Sequence, residues 1–160
     1  MENNSKELID FFRFQKKFYL ALLVGQVIFV LLFTILRLGE TEAFLADSGG
    51  IFYIIVPIIA IALIAFSIVS FNKRIRPLAA EADLSKKIAI YRETIVPRYA
   101  PIELATTVAA IAFFLTGDYA HLVIAMLSLV LYISIRPTPS KTADEMALAP
   151  ADRARLENID

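Results

Sequence analysis

The sequence predicts an all-α integral membrane protein, with four transmembrane helices arranged as two hairpins and an amphipathic helix in the loop between them. Three observations carry this. Hydrophobic residues make up 58% of the 160-residue chain and mean hydropathy is +0.66, too apolar for a surface that meets water on every side. Two apolar stretches precede the long polar interval 72–101 and two follow it. In a four-span arrangement all the Lys and Arg residues but Arg37 fall on one side, which is the asymmetry of the positive-inside rule.

Composition also excludes chemistry. The formal net charge is zero, so no bulk attraction for nucleic acid or another polyanion is expected. Cysteine is absent and there is a single histidine, His121. Disulfides, thiolate sites and histidine-rich metal centres are therefore ruled out. A carboxylate-only Mg²⁺ or Ca²⁺ site remains compatible with the composition, but no cofactor motif is present. Hydrolysis or group transfer in a membrane would need a metal cluster, an activated nucleophile or an acidic phosphotransfer motif. None is visible, and a non-catalytic protein is expected.

Residues 1–17 are polar, with Leu8, Phe11, Phe12, Gln15, Phe18 and Tyr19 at helical spacing among Lys6, Arg13, Lys16 and Lys17. They read either as an interfacial helix or as the first turns of a long first span. The first hairpin is expected over 18–71. Its first span, 18–36, is uncharged between Lys17 and Arg37 and covers roughly 28 Å, the thickness of the hydrocarbon core. This run exceeds a signal-peptide core and has no cleavage pattern after it. A short acidic loop with Glu40, Glu42 and Asp47 leads through Ser48-Gly49-Gly50 into 51–71, roughly 31 Å long. Pro57 lies inside that span, and Ala60, Ala62, Ala65, Ser67 and Ser70 offer small residues for close packing.

The loop 72–97 contains Leu84, Ile88, Tyr91 and Ile95 at i, i+4, i+7 and i+11, a narrow apolar stripe on one helix face. Such a helix either lies on the membrane with its basic residues reaching lipid phosphates, or docks onto the ends of the spans. The headgroup candidates are Lys73, Arg74, Arg76, Lys87, Arg92 and Arg98. The second hairpin is expected over 98–136, with Pro101 near its start, a tight turn at Thr116-Gly117-Asp118 and a stop at Arg136-Pro137. The tail 137–160 carries Pro139-Ser140 as a helix entry signal. Two short helices are expected there, over 141–148 and 150–158, with Met146, Leu148 and Leu156 as apolar anchors.

Glu103 is the ionisable group that commands attention, because a carboxylate inside a span is costly. A turn at Gly117-Asp118 makes residues whose numbers sum to about 235 level with one another. Glu103 then lies beside Tyr132 and one turn from Arg136, and a clamp among the three is expected at the basic end of the hairpin. His121 belongs to the opposite end, where Asp118 at i−3 is its natural partner in an interfacial pair.

The stretches 84–92, 98–103 and 114–118, with Arg136-Pro137-Thr138 and Leu148, resemble an uncharacterised family of small four-helix bacterial inner-membrane proteins. The resemblance covers about 84–156 and implies a bacterial inner-membrane location; it brings no activity. The charge asymmetry separately predicts that both termini and the middle loop are cytoplasmic. Two function classes follow. One is an accessory or scaffold module whose loop and tail contact the lipid bilayer, a membrane-protein partner or a second copy of the chain. The alternative is a small oligomeric transporter or channel subunit using Glu103. Four spans with one carboxylate are similar to small multidrug exporters, but the first span here has no carboxylate and the charge bias is one-sided.

Overall fold

The computed structural model describes residues 2–39 and 49–158, with side chains from residues 6 and 50 onward in the two segments. The acidic loop with Glu40, Glu42 and Asp47 lies outside the described residues. Every regular element among the described residues is helical: α1 (Glu2–Leu38), α2 (Gly49–Ile75), a 3₁₀ turn (Arg76–Ala79), α3 (Leu84–Arg92), α4 (Ile95–Thr116), α5 (Tyr119–Ser134), α6 (Pro139–Glu145) and α7 (Pro150–Glu157).

The helix boundaries follow local chemistry. Asp83 caps α3 by accepting from Ser85 N–H at 3.0 Å, and Asp118 caps α5 by accepting from Ala120 N–H at 2.8 Å. Thr138 caps α6 at Lys141 N–H, and Pro139 and Pro150 open α6 and α7 at positions where a missing N–H costs nothing. α4 closes on Gly117, whose φ of +72° is left-handed. A side chain there would also meet Arg37, since a Cβ would sit 2.5 Å from its Nη2.

That approach of Arg37 to the α4–α5 turn defines one end of the bundle. α3, the tail helices and the first half of α1 gather at the other end. At 37 residues α1 is roughly 55 Å long, almost twice the hydrocarbon thickness. Residues 2–17 therefore run into the apolar stretch as one continuous helix.

Three helical stretches are long and apolar enough to cross a membrane, 6–38, 50–79 and 84–116, and α5 with α6 makes a fourth if a pair bent by 82° is counted as one span. The apolar windows of α1 and α2 are only 17% and 22% buried. Leu20, Ile28, Ile35, Ile54, Ile61 and Val69 all point outward. So much contiguous apolar surface fits a hydrocarbon surround and not water.

α4 is the axis of the bundle. Instead of pairing with each other as a packed first hairpin, α1 and α2 each lie against α4, and α5 closes the remaining side. The reason is the alanine face of α4. Ala105, Ala109, Ala110 and Ala112 are all buried and let neighbouring backbones approach closely. In α2 only Ala60 and Ser67 of the expected small residues are buried; they continue through Val56 and Phe71 as a seam. Ala62 and Ala65 face outward. In α1 the buried seam runs through Leu8, Phe12, Gln15, Tyr19, Gln26 and Val30, near the 3.5-residue period of a left-handed helix pair.

Two cores result. Beside the α4–α5 turn, Val30, Val56 and the alanines of α4 and α5 form a small-residue cluster. At the basic end, an aromatic cluster gathers Phe11, Tyr19, Phe71, Tyr91, Tyr99 and Tyr132, together with Met146 and Leu156 from the tail. The apolar stripe packs into this second core: Ile88 and Tyr91 of α3 and Ile95 at the start of α4 are 1%, 0% and 3% exposed. Of the two readings of that helix, it adopts docking onto the bundle, and only the turn at Glu93-Thr94 separates it from α4.

Candidate functional site

The basic end encloses an ion pair that crosses the chain. Arg98, in the first turns of α4, forms a two-pronged bond to Glu145 at the end of α6, with Nη1 to Oε2 at 2.6 Å and Nη2 to Oε1 at 2.8 Å. The two side chains are only 7% and 15% exposed. The Tyr91 hydroxyl donates to the same Oε2. In turn it accepts from Gln15 Nε2 at 3.3 Å and from Arg98 Nη1 at 3.2 Å. Ser67 of α2 donates to the Arg98 carbonyl. The guanidinium lies over the Phe71 ring, 4.0 Å from its centroid, a favourable cation–π position away from water.

Five helices therefore contribute to one network, in which the carboxylate of α6 is bonded directly by α3 and α4. Buried charges of this kind survive when pairing is bidentate and the remaining donors are used, and here the tail supplies the acid. A second tether lies beside it: Lys87 Nζ donates to the Ala147 carbonyl. Ala147 has a φ of +46°, and Leu148 N–H reaches back to the Ala143 carbonyl at 3.0 Å. This is the left-handed helix ending normally made with glycine, stabilised from outside by the lysine.

These contacts correct two of the headgroup candidates. Arg98 and Lys87 are buried against protein and satisfied by the tail. Lys73, Arg74, Arg76 and Arg92 remain exposed; Arg74 lies 3.9 Å from Glu93, and Arg92 sits 5.7 Å from the Phe11 ring.

The expected clamp does not form. Glu103 is half-buried, within electrostatic reach of Tyr132, but among the described residues it makes no ion pair with Arg136. Tyr132 donates its hydroxyl to the Tyr19 carbonyl at 3.3 Å, and Tyr19 returns a bond to the Tyr132 carbonyl at 3.4 Å. The two rings stack at 4.9 Å and 7°. Arg136 lies beyond the end of α5, where the chain bends by 82° into α6. It lines a cleft with Lys16 and Tyr19 of α1.

At the other end, the Asp118 carboxylate caps α5 and makes no hydrogen bond to the His121 ring, the two residues being joined by the His121 backbone N–H donating to the Asp118 carbonyl at 3.1 Å. That ring is 1% exposed, lies 5.6 Å from Tyr53, and neither nitrogen has a hydrogen-bond partner among the described residues. In mid-bundle, Thr106 Oγ1 lies 3.1 Å from Gln26 Oε1 and 3.0 Å from the Ile102 carbonyl, a polar contact that joins α1 to α4. Among the described residues no three metal-ligating side chains come together.

Sequence reasoning placed Gln15 on the apolar stripe of the first helix without a partner, and missed Glu145 and Gln26. The glutamines carried a signal, being polar residues at buried seam spacing in an apolar helix. Glu145 carried none, since it is one acid among several in a polar tail.

No protein-family model, curated protein or solved structure matches the chain.

Proposed function

We propose that this chain is a non-catalytic bacterial inner-membrane protein, an accessory or scaffold module that crosses four times with both termini cytoplasmic. Its cytosolic face is a folded platform made from the start of α1, α3 and the tail helices. The observation that carries the reading is the Arg98–Glu145 pair. It fixes the tail to the spans, so the polar end has a defined shape for a partner or for lipid headgroups. The resemblance of 84–156 to small four-helix bacterial membrane proteins supports the location, and the charge segregation supports the orientation.

Alkaline phosphatase fused after Asp47 is expected to be active, and fused after Asp160 inactive. High activity from the full-length fusion would overturn the orientation.

The transporter reading keeps one observation, a half-buried Glu103 with no ion pair among the described residues. Reconstituted protein distinguishes the two. On the platform reading, Glu103→Gln shifts the melting temperature by no more than about 2 °C, as a substitution that breaks no buried bond should, and leaves vesicle proton flux unchanged. A proton-dependent flux that disappears in Glu103→Gln would establish the transporter instead.

A further inference from the structure

Among the described residues, polar clefts at the basic end differ in charge, and three of them show it. The widest, between α1 and α3, has Lys6 and Arg92 offset by Glu7 and Asp10. The second, beside the 3₁₀ turn, sets Arg76 against Asp144 and Glu145. The third holds about 310 Å³ and is lined by Lys16, Tyr19, Leu20, Arg136, Pro137, Thr138 and Pro139, with no acid among them. That is space for roughly ten waters, walled by two cations that come from opposite ends of the sequence.

We propose that this third cleft binds the phosphate of an anionic phospholipid, with Arg136 as the principal ligand and Lys16 as the second cation. Exposed Arg136 makes no side-chain hydrogen bond or ion pair among the described residues, so its planar donors are available for two phosphate oxygens. Lys16 has three ammonium donors and can give one to the lipid while keeping another partner. Thr138 adds a hydroxyl to the rim; Pro137 and Pro139 bring rigid ring surface without competing N–H groups.

Depth argues for a lipid over a free anion. Lys16 lies just before the uncharged run 18–36 of α1, and Arg136 follows the uncharged run 119–135 that contains α5. The cleft therefore opens where both helices pass from polar to apolar. Leu20, one turn further along α1, is 55% exposed and offers a wall for an acyl chain below the phosphate. A basic pocket between helices at that level is the recognised form of an anionic headgroup site. The proposal rests on the membrane reading above.

The test uses the full-length protein in a mild nonionic detergent, titrated with phosphatidylglycerol, phosphatidylcholine or inorganic phosphate. Retained lipid is counted by native mass spectrometry, and melting is followed by circular dichroism. Phosphatidylglycerol is expected to be retained and to raise the melting temperature; the other two should do neither. At roughly fivefold per basic residue, Lys16→Gln with Arg136→Gln should weaken retention about thirtyfold. Lys73→Gln with Arg74→Gln should change it less than about twofold, and Arg136→Gln alone, the fallback if the double variant misfolds, weakens it about fivefold. Undiminished retention in the cleft variants overturns the site. Equal stabilisation by inorganic phosphate overturns the lipid as its source, and equal retention of phosphatidylcholine overturns the charge selectivity. A chain that stays soluble without detergent defeats the membrane reading itself; a detergent-dependent chain indifferent to phosphatidylglycerol defeats only the site.

Discussion

Arg98→Met is expected to lower the melting temperature in detergent by about 10 °C, and Arg98→Met combined with Glu145→Met should recover more than half of that loss. The asymmetry comes from burial. With Arg98 gone, the Glu145 carboxylate, 15% exposed, keeps only the Tyr91 hydroxyl as donor among the described residues. Removing one partner of a buried pair costs about 3–5 kcal/mol, whereas replacing both by apolar groups of similar size is near neutral. In a chain of this length each kcal/mol moves the midpoint by roughly 2–4 °C. Methionine also keeps a flexible apolar group over the Phe71 ring. Trypsin gives an independent reading, because cleavage after the already accessible Lys141, Arg153 and Arg155 requires the surrounding helix backbone to open, which a detached tail does more readily. Cleavage there should accelerate in each single variant and slow again in the double. Additive losses in melting temperature would reject the coupling.

The pair also marks where sequence reasoning stops. Helices were legible because apolar runs end at charges and turns carry their own chemistry: Gly117 in the left-handed region, Asp118 as a cap, Pro139 and Pro150 at helix starts. The heights of residues were legible too, since 1.5 Å per residue from a known turn fixes level. What a run of uniformly apolar residues hides is rotation. Within 18–36 only Tyr19, Gln26 and Thr34 carry polar groups, too few to show which helix each face meets. For that reason α1 and α2 looked like a packed hairpin, when the alanines of α4 separate them. Arg98 and Glu145 are 47 residues apart, and no local pattern encodes a pairing at that distance. The basic residues read alike in sequence, yet Lys87 and Arg98 are interior while Lys73 and Arg74 are not.

Tyr132 provides the largest test of what holds the spans together at this end. Its ring is fully buried, stacked on Tyr19 and 5.6 Å from Tyr99. Tyr132→Ala should therefore cost about 3–5 kcal/mol, the usual loss for deleting a buried aromatic ring, or about 10 °C in melting temperature. Tyr132→Phe should cost only about 0.5–1.5 kcal/mol, because it removes one hydrogen bond to a helix carbonyl and keeps the ring. The chain has no tryptophan, so circular dichroism of the helical band is the suitable probe. The stack predicts strong coupling between α1 and α5: Tyr19→Ala with Tyr132→Ala should fall short of the summed single losses by at least about 1 kcal/mol, since each single variant already destroys the shared contact. A clamp to Glu103 would behave otherwise. Tyr132→Phe would then match Glu103→Gln in cost and be non-additive with it, while Tyr19→Ala would act independently of both. Equal losses for Tyr132→Phe and Tyr132→Ala would show that the hydroxyl and not the ring holds this end closed, and would overturn the stacking account.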